Sequence, residues 1–499
     1  MFKYYIDEKK QITITGYSGH ETRLQIPANI DGYPVREVAE SAFWGAAQLE
    51  EVIMPESIVT MSRRSFRECA NLRRVEFSKN LTSLPANTFT ECYMLRELKL
   101  PKRLLTCDHV AFEDSPIARI EFDKEVKEVD LELFRANAST IEEIVVEAGH
   151  NVYRVDDSAL FQKTKEGEVL LFCYAQKYRK TSGYDKATYT VLDGTVAIAQ
   201  EAFKNCYNLG NVIFPDSLKR IGAYAFKGSA VEEFVLPATV REIEIEALLS
   251  GSVFLARRRM LRSIKVSAEN PVYEVNGAFL MRRGEHTYAA AVYFGDEMDV
   301  EIPQGTTDIL DGAFMRSNIR QIVIGDSVQR IGERAFEGCK KLIRVKMQDV
   351  TWYVPKTTRG MDYIVSEIRE EYLSCIKICA DGRRFDERKY DALYSQLELV
   401  SDRILVAVNR LKSGCHLSNS MHREYLGYLK EHDWESVVVV ADYDELEGLE
   451  LLIKTEVVGE HNIDRLIERA NREKKPAVQS YLMNYKNQAF GETLTDYEL

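Results

Sequence analysis

The feature that most limits how this chain can fold is a phenylalanine that returns on a nearly fixed pitch. Phe43, Phe66, Phe89, Phe112 and Phe134 follow one another at steps of 22 or 23 residues, as do Phe203, Phe226 and Leu248, and then Phe314 and Phe336. The fullest version of the motif is Ile221-Gly-Ala-Tyr-Ala-Phe226, followed by Val231, Phe234, Leu236 and Pro237. A period of about 20 to 50 residues marks stacked units, none of which can bury its apolar face without its neighbours.

After every anchor comes an apolar triplet at positions 1, 4 and 6, from Leu49/Val52/Met54 in the first unit to Leu342/Val345/Met347 in the last. This is the L-x-x-L-x-L core of a leucine-rich repeat, in which each coil gives one short strand to a parallel sheet. Side chains alternate along a strand, so positions 4 and 6 point inward and positions 3 and 5 face solvent on the concave side. The fold class is α+β: a leucine-rich repeat solenoid of about ten 22–23-residue coils with a parallel sheet and two inserted strand pairs, followed by an all-α C-terminal domain. Its 499 residues exceed what one core organises. The expected boundaries are 1–45 for an N-terminal cap and first anchor, 46–355 for the solenoid with inserts near 147–190 and 249–300, and 356–499 for a domain of paired helices.

Residues 11–17 alternate as a strand should, and Gly16 begins a turn. An open stack exposes its core at each end, so the opening segment reads as a cap. The two breaks in the pitch resemble each other: Asn151-Val-Tyr153-x-Val155 with Ala159-Leu-Phe161 matches Asn270-Pro-Val-Tyr273-x-Val275 with Ala278-Phe-Leu280. Past residue 356 the triplets stop and helical periodicity takes over. Leu393, Leu397, Val400, Ile404, Leu405, Val408 and Leu411 form one face. Ile463, Leu466, Ile467 and Ala470 form another behind Asn462, a cap residue, and Pro476 opens a last helix. Six or seven helices are expected.

The Ile-Gly-x-x-Ala-Phe anchor, the opening Ile12-Thr-Ile-Thr-Gly-Tyr17 with Ile30-Asp-Gly-Tyr-Pro-Val35, and the Asn-x-Val-Tyr inserts resemble the BspA-like leucine-rich repeat family of bacterial proteins over residues 1–348. That resemblance implies a right-handed solenoid of the kind used in adhesion and interaction, often exported, with no catalytic residues to carry over. The C-terminal pairs, Asn462-Ile-Asp-x-Leu-Ile467 especially, are similar to C-terminal regions of cytoplasmic leucine-rich repeat proteins of gut Firmicutes, and more distantly to ankyrin repeats.

Composition narrows the partners. The net charge of −12 makes nucleic acid and anionic membranes poor ones. The first ten residues hold no apolar core of a secretion signal, and no run of 18 apolar residues occurs, so the expected location is cytoplasmic. Cys69, Cys92, Cys206 and Cys339 stand three residues after an anchor, where other coils have Ala46, Ser115, Ser229, Gly251 and Ser317. They read as small buried thiols in a reducing compartment.

Signatures of hydrolases, nucleotide-binding loops and zinc proteases are absent. Cys375, Cys379 and Cys415-His416 lack the close spacing of a metal knuckle and read as core packing, and His20, His150 and His286 read as surface histidines. Position 3 of the first five coils runs Glu51, Arg74, Glu97, Arg119, Glu143, alternating in sign across neighbouring strands, which suits a face that neutralises itself. Farther along, position 5 turns apolar: Val145, Ile213, Val235, then Lys265 and Val323. These five are the candidate interaction surface, since an exposed apolar strip marks a partner or a cover. The expected function is a non-enzymatic protein-interaction scaffold with no cofactor, metal or small-molecule substrate. Its alternatives are an exported surface adhesin and an enzyme with a site between solenoid and helical domain.

Overall fold

The anchor rings stack on one another. Phe43 and Phe66 have centroids 4.6 Å apart and planes 4° apart, and Phe66–Phe89, Phe89–Phe112, Phe203–Phe226 and Phe314–Phe336 follow at 5.4, 5.5, 5.1 and 5.2 Å. Neighbouring parallel strands lie about 4.8 Å apart, so a ring repeated once per coil lands on the ring before it. This computed structural model describes residues 1–156, 159–175, 178, 186–244, 246–248, 261–347, 350–355, 367–378, 385–443 and 445–490. They form two compact units, Met1–Asn270 and Pro271–Leu499.

In the first unit, triplet strands pair in parallel, Arg23–Gln25 with Glu51–Ile53 and Arg74–Glu76, and Glu97–Lys99 with Arg119–Phe122 and Glu143–Val146. Triplet side chains are buried throughout except Phe77, Val146, Phe214 and Val266, which are half-buried. At most anchor turns the backbone N–H donates forward to the next coil: Phe43 to Ser65 O at 2.8 Å, Phe66 to Thr88 O at 2.9 Å, Phe89 to Ala111 O at 2.8 Å. The small residue three places on donates backward to the previous anchor's carbonyl: Cys69 Sγ to Phe43 O, 3.2 Å; Cys92 Sγ to Phe66 O, 3.3 Å; Ser115 Oγ to Phe89 O, 2.6 Å. A thiol or hydroxyl there satisfies a buried acceptor as well as fitting the space. The equivalent Gly251 lies outside the described residues. Phe134 departs from the other anchors by sitting on a helix, Leu131–Ala136, where the Asp130 carboxylate caps the Glu132 N–H at 3.0 Å.

The inserts differ from the expected strand pairs. Each holds three strands: Tyr153–Val155, Ala159–Lys163 and Glu168–Cys173 in one, Tyr273–Asn276, Phe279–Arg283 and Tyr288–Tyr293 in the other. The first two junctions are antiparallel, and the third strand then joins a coil strand in parallel, Glu168–Cys173 with Thr195–Ile198 and Tyr288–Tyr293 with Asp308–Ile309. The N-terminal segment repeats the plan, since Phe2–Ile6 pairs antiparallel with Ile12–Tyr17, which pairs in parallel with Tyr33–Val38. All three hairpins carry an irregularity at the same point, between Lys3 and Tyr4, Leu160 and Phe161, and Leu280 and Met281. The cap and the inserts are thus one device used three times. Parts of both expected inserts, including residues 249–260, lie outside the described residues.

In the second unit the last coils and the helices share one apolar core, from Phe279 to Leu482. The coil strand Arg344–Met347 is covered by Val350–Tyr353, antiparallel, whose Trp352 stacks on Phe385 at 4.0 Å. The described helices are Glu367–Leu373, Glu387–Ala392, Val400–Ser413, Asn419–Glu431, Asp433–Tyr443, Glu445–Lys454, Ile463–Arg472 and Pro476–Phe490, more than the six or seven expected. The face read from Leu393 to Leu411 is interrupted, because a 3₁₀ turn, Tyr394–Gln396, precedes the helix that begins at Val400. Asn462 makes no cap to its helix; its side chain joins Asp433 Oδ2 and Val457 O, both at 2.8 Å. Fully buried Arg410 is held by both oxygens of Asp391, at 2.6 and 2.9 Å, and Tyr425 donates to the same carboxylate at 2.8 Å. A buried cation is tolerated only with such a set of partners.

Candidate interaction surface

Two kinds of surface lie along the exposed side of the triplet strands. Over the first coils the cross-strand registers place opposite charges side by side. Arg23 meets Glu51 at 2.8 Å, Arg74 meets Glu51 at 3.5 Å and Glu76 at 2.6 Å, and Lys99 meets Glu121 at 3.7 Å. Arg119 pairs with Glu143. An open groove of about 710 Å³ runs here, lined by Arg74, Glu76, Lys99, Lys102, Arg119 and Glu121 among others. Exposed pairs of this kind contribute roughly 0 to 1 kcal/mol each; their main effect is to leave no unbalanced sign for a charged partner.

Farther along the same unit, Ile213 is 50% exposed and Val235 53% exposed, large for β-branched side chains on a ladder. Their strands belong to neighbouring coils. The register partner of Val235 is Lys265, whose ammonium reaches Glu233 at 2.9 Å. Lys186 and Arg262 both reach Glu232. The pair of branched side chains is therefore bordered by charges that already have partners.

The other candidate positions are placed differently. Val145 is half-buried and opposite Glu121, while the register neighbour of Ile213 is Thr190, on the strand Ala187–Thr190. Val323 is half-buried between Glu301 and Lys346. Of the five residues, Ile213, Val235 and Lys265 come together on adjacent strands.

Sequence reasoning missed a second exposed cluster, on the ridge beyond the anchors. Trp44 and Tyr93 are 51% and 54% exposed; Arg67 lies over Trp44 at 5.9 Å and bonds Glu91 at 2.6 Å, and Tyr93 donates to Glu91 at 3.2 Å. The available signal was an aromatic one residue after the anchor or after the small residue. His150 corrects the surface reading. It is buried, and Nδ1 accepts from the backbone N–H of Val152 and Tyr153 at 3.0 and 3.1 Å, with Phe122 and Tyr153 against its ring. Asn270 holds the same place in the other insert, also buried.

The thiols have little chemistry to offer in this setting. Burial pushes Cys69 and Cys375 up to about 12 and Cys339 up to about 11, and a thiol is a ligand or nucleophile only as thiolate. Cys415 is exposed; Cys379 lies outside the described residues. Among the described residues no three His, Cys, Asp or Glu side chains are grouped to hold a metal. Where the last coil meets the first helix after it, a cavity of about 70 Å³ is lined by Glu333, Arg334, Glu337 and Glu370 among others. No helix is long and apolar enough to cross a membrane, among the described residues.

The model of the BspA type leucine rich repeat region matches in six copies at residues 22–159, 185–256 and 297–357, more than half the chain. No curated protein matches. Among solved structures, a leucine rich cell surface protein of Faecalibacterium prausnitzii is 21% identical over 69% of this chain and 74% of its own, with a TM-score of 0.29. A leucine rich repeat protein of T. pallidum is 22% identical over 46% and 86%, at 0.29. One from Eubacterium ventriosum is 16% identical over 69% and 82%, at 0.36. Anchor pitch, strand ladders and the family match agree: the chain belongs to the BspA type leucine-rich repeat family.

Proposed function

We propose that the chain is a non-enzymatic scaffold of the cytoplasm that grips a protein partner on the concave face of its solenoid, residues 46–355, with 1–45 as its cap and 356–499 as a helical domain. The observation that carries this reading is the exposure of Ile213 and Val235 on strands of neighbouring coils, with the charges nearby already paired. Such a patch gains from being covered, and its backbone pays no ordering cost on association. The buried thiols Cys69, Cys92, Cys107, Cys339 and Cys375, none of them in a disulfide, suit a reducing compartment.

The test is a photo-crosslinking side chain at the exposed position Asn211, in the native host, with and without Ile213→Asp/Val235→Asp. A discrete protein adduct, lost in the double variant while circular dichroism stays unchanged, is the expected result. An adduct that persists at equal yield removes the ladder face as the partner's site.

A further inference from the structure

The three hairpins share strand order and the place of their irregularity, and differ at the outer edge. In the second and third, the first strand is covered on its outer edge by an antiparallel strand: Tyr153–Val155 lies on Ala159–Lys163, and Tyr273–Asn276 lies on Phe279–Arg283. In the first hairpin, no strand among the described residues pairs with the outer edge of Phe2–Ile6. The exposures follow. Ala159, Leu160 and Phe161 are buried, as are Phe279, Leu280 and Met281. Their counterparts Phe2, Lys3 and Tyr4 are half-buried, exposed and half-buried, and beyond them Tyr5 and Ile6 are 53% and 42% exposed. An uncovered edge presents unpaired backbone donors and acceptors, a template for one more strand.

The covered copies state what that strand looks like. Counting from the shared irregularity, Lys3, Tyr4 and Tyr5 stand where Leu160, Phe161 and Gln162 stand, and where Leu280, Met281 and Arg282 stand. Both covering strands read Tyr-x-Val. Tyr153, Arg154 and Val155 lie opposite Gln162, Phe161 and Leu160; Tyr273, Glu274 and Val275 lie opposite Arg282, Met281 and Leu280. The middle residue is charged and answers the charge beside it. Arg154 lies over the Phe161 ring at 4.9 Å and pairs with Glu168, whereas Glu274 pairs with Arg283 at 3.6 Å. At the first hairpin the middle position faces Tyr4, an aromatic ring like Phe161, whose hydroxyl donates to the Asp31 carboxylate. A ring with an acid at its rim selects arginine.

We propose that the outer edge of Phe2–Ile6 is a docking site for an extended segment of another polypeptide carrying Tyr-Arg-Val, paired antiparallel so that its Tyr faces Tyr5, its Arg faces Tyr4 and its Val faces Lys3. A second copy of this chain is the weaker occupant. Lys3 stands exposed on the edge, and an edge lysine is a device against self-pairing; the two Tyr-x-Val strands that cover hairpins within the chain are already paired. The site is separate from the ladder face, and either can hold or fail without the other.

The experiment uses the full chain and an acetylated, amidated peptide of residues 150–156, His-Asn-Val-Tyr-Arg-Val-Asp. Amide hydrogen exchange is read by mass spectrometry and affinity by fluorescence anisotropy of the labelled peptide. Saturating peptide is expected to slow exchange across Phe2–Ile6 by about tenfold or more. The peptide with Arg154→Glu is expected to bind about tenfold more weakly, and so is the peptide with Asp156→Pro, which lacks the amide that in the covered copy donates to Ala159 O. Unchanged exchange in Phe2–Ile6 at about 1 mM peptide, weaker than any specific strand addition, overturns the proposal. So does slowing confined to other segments, or an edge already protected in the free protein at the mass of two copies.

Discussion

The first coil of one unit and the last coil of the other are closed by different chemistry. Most anchor turns send backbone donors toward the following coil, so the last coil needs acceptors of another kind. Phe314 N–H reaches Ala335 O and Arg316 N–H reaches Glu337 O, but the next in line, Gly338 N–H, ends on the Glu370 carboxylate at 3.2 Å. Beside it the buried guanidinium of Arg369 donates to Cys339 O at 3.1 Å and to Leu342 O and Pro355 O. Two consecutive residues of one short helix, Glu367–Leu373, thus stand in for a missing coil. The first coil is closed by a hairpin, which settles its own backbone on one side, while on the other no strand among the described residues pairs with it. A buried end demands side chains that match it group for group; an end facing water does not.

Substitutions at three positions break or sharpen that contrast. The largest effect belongs to Arg369→Ala, which strands several buried carbonyls. It is expected to cost about 3 to 5 kcal/mol, read by hydrogen exchange under urea as a loss confined to Pro271–Leu499; a loss shared equally by Met1–Asn270 refutes the capping role. Next is Glu370→Ala, expected to cost about 1 to 2 kcal/mol by orphaning the Gly338 N–H. Its companion Glu370→Gln separates charge from hydrogen bond. Burial raises the Glu370 carboxyl above its usual range, against the pull of the Gly338 N–H. The native state therefore holds that proton more tightly than the unfolded chain does. The stabilisation is complete below the ordinary glutamate value and is lost as pH climbs through the raised one. Wild type is expected to lose ground to Glu370→Gln as pH climbs above the ordinary glutamate value, in urea midpoints taken at each pH. The smallest effect belongs to Lys3→Leu, which installs on the bare hairpin the residue that its covered counterpart buries. A shift within about 0.5 kcal/mol is expected, and a gain well beyond that means that the edge is covered in the free protein.

What could be read from sequence was whatever repeats at full strength. The anchors and triplets announced themselves because each coil must bury the same atoms, and the buried stack from Phe43 to Phe112 follows that pitch. The alternating charges at position 3 were legible for the same reason. The hairpins were harder, because an irregular register breaks the period of two and Lys3 hides the likeness of Phe2–Ile6 to Ala159–Lys163. Two polar residues were misread because their roles are set by distant backbone. His150 reads as surface until its ring is seen accepting from Val152 and Tyr153, and Asn462 reads as a cap until Asp433 is brought beside it. Position within the coil defines the candidate strip and skips the strand Ala187–Thr190 that pairs beside Ile213.

The repeated hairpin bears on how a chain of this kind lengthens. Each stretch from one hairpin to the next brings its own starter strands and its own coils. Duplication or excision of a whole stretch leaves every junction of a type the chain already uses, whereas a cut elsewhere strands half a ladder. The chain is in effect written in cassettes, and lineages that share it are expected to differ by whole cassettes while a single helical terminator is kept.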